Sequence, residues 1–127
     1  MIMEQLEELR AAFAQCRALA LADLASGTIY RVSAREKQPQ ERFDAMCAAA
    51  AEVFCRPPGD ALARASGHEE ARALNEVMLF RGDDLCIFLR APWDPGEAVL
   101  CLCEAALDVD AFLEAARERL AQIAAAA

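Results

Sequence analysis

Histidine and lysine are nearly absent. The 127 residues hold one of each, His68 and Lys37. His68 is therefore the only side chain suited to moving protons near neutral pH. It stands in Ser66-Gly67-His68-Glu69-Glu70, and no nucleophile elbow surrounds Ser66. With 13 basic against 21 acidic residues, a net charge of −8 lacks the clustered cations that nucleic-acid binding needs. The local basic group Arg31, Arg35, Lys37 and Arg42 is interrupted by Glu36 and Glu41, and it reads as a solvated loop. Glycine is sparse too. Gly27, Gly59, Gly67, Gly82 and Gly96 each stand alone, which excludes a phosphate-cradling loop and a dinucleotide fingerprint. No apolar run approaches the roughly 20 residues that span a bilayer. The start, Met1-Ile2-Met3-Glu4-Gln5, turns acidic at once without the basic region of a signal peptide. A cytoplasmic protein with no membrane insertion and no nucleic-acid partner is expected.

Metal-ligand spacing is missing as well. The six cysteines, Cys16, Cys47, Cys55, Cys86, Cys101 and Cys103, form no CxxC pair, so zinc-knuckle and thioredoxin spacings are absent. Each lies where Ala, Val or Leu would serve, and free cysteine packs as a small hydrophobe. Reduced core thiols are expected, with no disulfide, metal or cofactor. A thiol enzyme or ligand-binding domain would need an open pocket joining His68 to one of these thiols. Asp83-Asp84 reads as a turn and Glu69-Glu70 as a helix start, so no carboxylate pair for acid/base work is predicted. No catalytic residue is assigned.

What the chain does contain is apolar: 57% of residues are hydrophobic and mean hydropathy is +0.15. The length fits one domain, residues 1–127, able to bury roughly two thirds of its unfolded surface. Three short apolar runs stand close together, Glu76 to Phe80, Leu85 to Leu89 and Ala98 to Cys103, divided by Gly82-Asp83-Asp84 and by Pro92-Trp93-Asp94-Pro95-Gly96. Such punctuation marks strands of a meander. The second and third runs do not alternate, so both faces of their sheet should be covered. Trp93 in the second connection is either folded over the sheet edge or exposed as a partner contact.

Helices supply the cover. Ile2, Leu6, Leu9, Phe13 and Cys16 form one apolar stripe, with Glu4, Glu7 and Glu8 near the N-terminus of the helix. Leu19 to Leu24 fits either a continuation of this helix or a strand; Gly27 in a turn before Thr28 to Ser33 favours a hairpin. Pro39 opens a second helix. Phe43, Met46, Cys47, Ala50, Val53 and Phe54 make its stripe, and Pro57-Pro58-Gly59 ends it. Its opposite side, Ala45, Ala48 and Ala49, is more apolar than a solvent face requires and implies a second packing partner. Residues 60–75 are ambiguous. Asp108 can cap a last helix with Val109, Phe112, Leu113, Ala116, Leu120 and Ile123 facing inward. The predicted fold is α+β, a single-domain α-β-α sandwich in the order α-β-β-α-β-β-β-α. Its five strands form one antiparallel sheet, with the first and last helices on one face and the middle helix on the other.

The element order and length resemble the Roadblock family, named after dynein light chains. Asn75 to Phe80 and Gly82 to Arg90 look like that family's third and fourth strands, Gly96 to Leu102 like its fifth, and Leu107 to Leu113 like its last strand-to-helix junction. The resemblance implies a profilin-like sandwich and a non-catalytic adaptor that scaffolds complexes or regulates small Ras-like GTPases as a dimer. It places the strand at Val77 to Phe80 on a sheet edge. A homodimer is then expected through that edge and the middle helix, with Phe43, Met46, Ala50, Phe54, Val77 and Leu79 at the interface. Type III secretion chaperones are also similar: small, acidic, α/β and dimeric. They place three strands before the middle helix, where two are read here.

Overall fold

The computed structural model describes residues 2–55 and 75–126. The predicted stop at Pro57-Pro58-Gly59, most of the ambiguous stretch 60–75 and His68 lie outside the described residues. The elements are α1 (Ile2–Ala12), β1 (Cys16–Asp23), β2 (Thr28–Ala34), α2 (Gln40–Cys55), β3 (Glu76–Arg81), β4 (Asp84–Arg90), β5 (Glu97–Glu104) and α3 (Val109–Ala126). The five strands form one antiparallel sheet in the spatial order β2-β1-β5-β4-β3. Two strands precede α2 and three follow it. That is the order required by the Roadblock resemblance, and it is not the chaperone order.

The unbroken apolar runs have the expected cause. Every interior residue of β4 and β5 is buried, because helices cover both faces. On one face, Leu6 and Leu9 of α1 and Phe112, Ala116, Leu120 and Ile123 of α3 pack on Leu19, Leu21, Leu85, Ile87, Val99 and Cys101. Phe13 and Phe112 meet edge to face, with ring centroids 5.2 Å apart. On the other face, Phe43, Met46, Cys47, Ala50 and Phe54 of α2 pack on Ala18, Ala20, Ala22, Cys86, Phe88, Leu100 and Leu102. Alanine alternates along β1 on the α2 side, which lets that helix sit close to the sheet.

Local signals fix the boundaries. Asp108 accepts from the Ala111 amide at 3.2 Å and caps α3. The β3–β4 turn is two residues long with Gly82 at φ +62°, a left-handed conformation suited to a tight hairpin. One expected boundary moves. Cys16 does not extend the first helix, which ends at Ala12; it opens β1 and lies opposite Cys103 of β5. Its spacing from Phe13 suits a helix, and its spacing from Ala18 and Ala20 suits a strand. Pairing with β5 decides the contest.

Candidate protein-docking surface

The helices cover the centre of the sheet but not its β3 edge. Along β3, Met78 is 47% exposed, Leu79 43% and Phe80 63%. The pairing with β4 assigns their faces. Val77, Leu79 and Arg81 lie opposite Phe88, Cys86 and Asp84 on the α2 side, while Met78 and Phe80 lie opposite Ile87 and Leu85 on the α1/α3 side. Six residues pair with β4 without a bulge, so the outer edge of β3 is a regular row of backbone amides and carbonyls.

Beside this edge, a cleft of about 360 Å³ opens between α2 and the β3–β4 hairpin. Met46, Leu79, Cys86 and Phe88 give it an apolar floor, and Ala45 and Ala49 form its α2 wall. The charged end is built from Arg42, Arg81 and Asp84. Asp84 accepts from Arg42 and, at 3.0 Å, from Arg17, so one carboxylate ties β1, α2 and β4 together. The small side chains of Ala45 and Ala49 leave room for a second backbone to approach.

The expected interface residues divide here. Val77 and Leu79 sit on the free edge, Val77 half-buried and Leu79 exposed. Phe43, Met46, Ala50 and Phe54 are buried in the chain's own core, with Ala50 at 0% exposure. Of these four, only Met46 reaches the cleft. In this chain the large-residue stripe of α2 faces its own sheet. The cleft-facing residues of α2 are Arg42, Ala45, Met46 and Ala49. The signal that locates them was the alanine face opposite the stripe, and Met78 and Phe80 carried no separate signal.

Several of the remaining candidates have internal partners. Trp93 is half-buried against the α1/α3 core, and its Nε1 donates to Glu97 Oε1 at 3.0 Å. Arg42 is held by Asp84, and Arg35 donates to the Ala14 carbonyl. Arg31 stays exposed on β2. Arg90 stacks 4.7 Å from the Phe54 ring and donates to the Phe54 carbonyl at 2.8 Å, anchoring the end of α2. Cys16, Cys47, Cys86, Cys101 and Cys103 are buried thiols. Burial pushes Cys101 well above the ordinary thiol value. A hydrogen bond with Cys16, followed by burial, holds Cys103 up. Thiols held protonated in this way are poor nucleophiles. Among the described residues, no group of three or more His, Cys, Asp or Glu is placed to hold a metal ion, and no helix is long and apolar enough to cross a membrane.

No protein-family model matches the sequence, and no curated protein sequence matches it significantly. Solved structures do. The Roadblock/LC7 domain from Streptomyces avermitilis superposes with a TM-score of 0.69 at 14% identity, covering 91% of this chain and 88% of that one. The chain has the Roadblock/LC7 fold. The gliding protein MglB from Thermus thermophilus gives 0.74 at 18% identity, over 99% of this chain and 90% of that one. MglB from Myxococcus xanthus gives 0.73 at 9% identity, over 97% and 91%. At these identities the likeness is one of fold. The five-stranded antiparallel sheet and the order of strands and helices match that fold.

Proposed function

We propose that this Roadblock-like domain is a non-catalytic, homodimeric adaptor of the cytoplasm that regulates a small Ras-like GTPase or its complex. The observation that carries the proposal is the uncovered β3 edge, lying next to a cleft walled by alanines. An edge strand of six residues with apolar side chains on both faces is an aggregation liability in a monomer. Continuing the sheet into a second copy across a two-fold axis removes the liability. Leu79 and Val77 of each copy would then face the other copy's α2 at Ala45 and Ala49.

The GTPase partner rests on the Roadblock resemblance and on the structural likeness to MglB, which is described as a gliding protein. The net charge of −8 favours encounter with a partner of basic surface. Two tests address the two levels of the proposal. Light scattering at micromolar concentration should give twice the 13.8 kDa chain mass; a monomer mass refutes the dimer. Affinity capture from the native cell with mass spectrometry should recover a small GTPase, and reconstitution should change its nucleotide hydrolysis or exchange rate. A captured GTPase whose rates do not respond leaves a scaffold and removes the regulator. Turnover of model thioesters, lost on substitution of a cysteine or His68, would replace the adaptor by an enzyme.

A further inference from the structure

Two of the buried thiols are set apart by where the sheet puts them. Cys16 opens β1, Cys103 stands one residue before the end of β5, and the two pair directly across the ladder. Among the described strands no other cysteine faces a cysteine. Both side chains lie on the α1/α3 side. The Glu104 amide donates to the Gln15 carbonyl at 2.8 Å, one residue outside the pair on each strand. That makes Cys16 and Cys103 a non-hydrogen-bonded pair, the kind whose Cα atoms stand about 4.5 Å apart and whose side chains approach closest. A disulfide bridges Cα atoms roughly 4.4 to 6.8 Å apart, so the two sulfurs can join with the strands in place.

The two sulfurs are unequal. A hydrogen bond from the Cys103 thiol holds Cys16 below the ordinary thiol value; burial opposes it, and Arg10 and Arg35 reinforce it. The same hydrogen bond holds Cys103 up. Cys16 is therefore the nucleophile, and Cys103 is the donor that steadies its thiolate. The pair is buried, yet it stands at the rim of the sheet. Ala14, in the turn before Cys16, and Ala105, just after β5, are both exposed. Opening of this one end, without unfolding of the centre, admits a small oxidant. Cys101 lies deeper in β5, fully buried, and burial keeps its thiol protonated.

We infer that Cys16 and Cys103 form a dithiol oxidised by peroxide, and that their disulfide locks the β1–β2 hairpin to the β3–β4–β5 meander. The seam between β1 and β5 is where these two parts of the sheet meet. In the first step the Cys16 thiolate attacks one oxygen of hydrogen peroxide. The O–O bond breaks, the released hydroxide takes a proton to become water, and Cys16 is left as a sulfenic acid. The Cys103 sulfur then attacks the Cys16 sulfur. The S–O bond breaks, and the hydroxide leaves with the Cys103 proton as a second water. Two thiols have given two electrons to one peroxide. A dithiol reductant reverses the bond by exchange. Because the cross-link joins the first strand to the last, it closes a long loop and constrains the unfolded chain.

The test treats the full, folded chain with hydrogen peroxide, removes the excess with catalase, then unfolds the chain in iodoacetamide and weighs it. The oxidised chain should take two fewer alkyl groups than the reduced chain with its six cysteines, and dithiothreitol should restore them. Tryptic mapping should join residues 11–17 to residues 91–117. The second peptide carries Cys101 as well as Cys103, so the link should persist in Cys101→Ala and vanish in Cys103→Ala. During oxidation of Cys103→Ala, dimedone should trap the sulfenic acid on Cys16; in Cys16→Ala it should leave Cys103 unlabelled. The oxidised unmodified chain should unfold at a midpoint several degrees above the reduced one. A full count of alkylated thiols after oxidation, or a link through any other cysteine, overturns the pair. Dimedone on Cys103 but not on Cys16 overturns the assignment of the nucleophile. A midpoint unchanged or lowered by the disulfide overturns the lock.

Discussion

The sheet has two edges, and they are built differently. At β2 the ladder with β1 is broken: Leu21 pairs with Arg31 and Ala22 with Ile29, so Tyr30 is the extra residue of a bulge. Arg31 lies exposed on this strand, and Ser33 on it accepts from Arg10 of α1 at 2.8 Å. Bulges and charges on an edge are the usual devices against pairing with another chain. At β3 none is present. Its ladder is regular, its middle reads Val77-Met78-Leu79-Phe80, and charge appears only at its ends, Glu76 and Arg81. Exposure alone does not separate the edges, since Tyr30 and Val32 are 48% and 43% exposed. What separates them is backbone regularity and the neighbouring cleft. An exposed apolar strand invites a partner only where its hydrogen-bonding edge is straight and unguarded.

The largest effect should come from testing which face of α2 serves which edge. Ala50 is fully buried against β1 and β5, whereas Ala49 borders the cleft beside β3. Ala50→Arg forces a long cation into packed core, with overpacking and an unpaired buried charge, and should destabilise the fold by about 4 kcal/mol or more. Thermal unfolding and circular dichroism would show it as a lost or strongly lowered transition. Ala49→Arg should keep the thermal transition of the folded chain and lose the dimer. If Ala50→Arg folds normally and alone disrupts association, the assignment of faces is wrong.

That pair of alanines also shows where sequence reading reaches its limit. The stripe Phe43, Met46, Ala50, Phe54 and the alanine face at 45, 48 and 49 were both visible as periodicity. Periodicity does not say which stripe meets the chain's own sheet. Volume decides it: the large side chains fill the space above alanine-lined β1, and the small ones are left at the cleft. By contrast, the two-sided burial of β4 and β5 was legible because an unbroken apolar run has no other stable setting. The Asp108 cap was legible because it is local. Cys16 was not, because the same residue satisfied both a helical and a strand period. The exposure of Met78 and Phe80 was hidden for a related reason: an apolar strand residue looks the same whether a helix lies over it or not. Only the position of β3 at the edge of the folded sheet reveals it.

A smaller effect should follow from placing the same charge on each edge. Leu79→Lys puts an ammonium on the α2 side of β3, at the cleft, and Val32→Lys puts one on β2. Desolvating a lysine without a partner at a dimer contact costs about 2–3 kcal/mol, and the two-fold repeats it. The dissociation constant of Leu79→Lys should therefore rise by roughly a thousandfold or more, read by sedimentation over a dilution series. Val32→Lys should leave it within about twofold. Equal losses at both positions would mean that association does not distinguish the edges, and a loss only at Val32 would move the interface to β2.

The smallest effect is the most specific to the comparison. If the Tyr30 bulge guards β2, removing it should make that edge resemble β3. Deleting Tyr30 leaves Ile29 next to Arg31, matching their already consecutive partners Ala22 and Leu21, so the ladder runs without interruption. Ile29 stays on the α2 side and Arg31 on the other, because a bulge adds one residue and its removal restores the two-residue period. The variant should fold with a thermal midpoint within a few degrees of the parent. At high concentration it should show a minor population heavier than the dimer, formed through β2. Arg31 still repels a second copy there, so the population should grow with added salt, which screens it over about 10 Å at 0.1 M. A mass distribution identical to the parent at every salt concentration would show that the charge guards β2 without help from the bulge. A further Arg31→Thr change in the deletion variant would then be required before the heavier species appears.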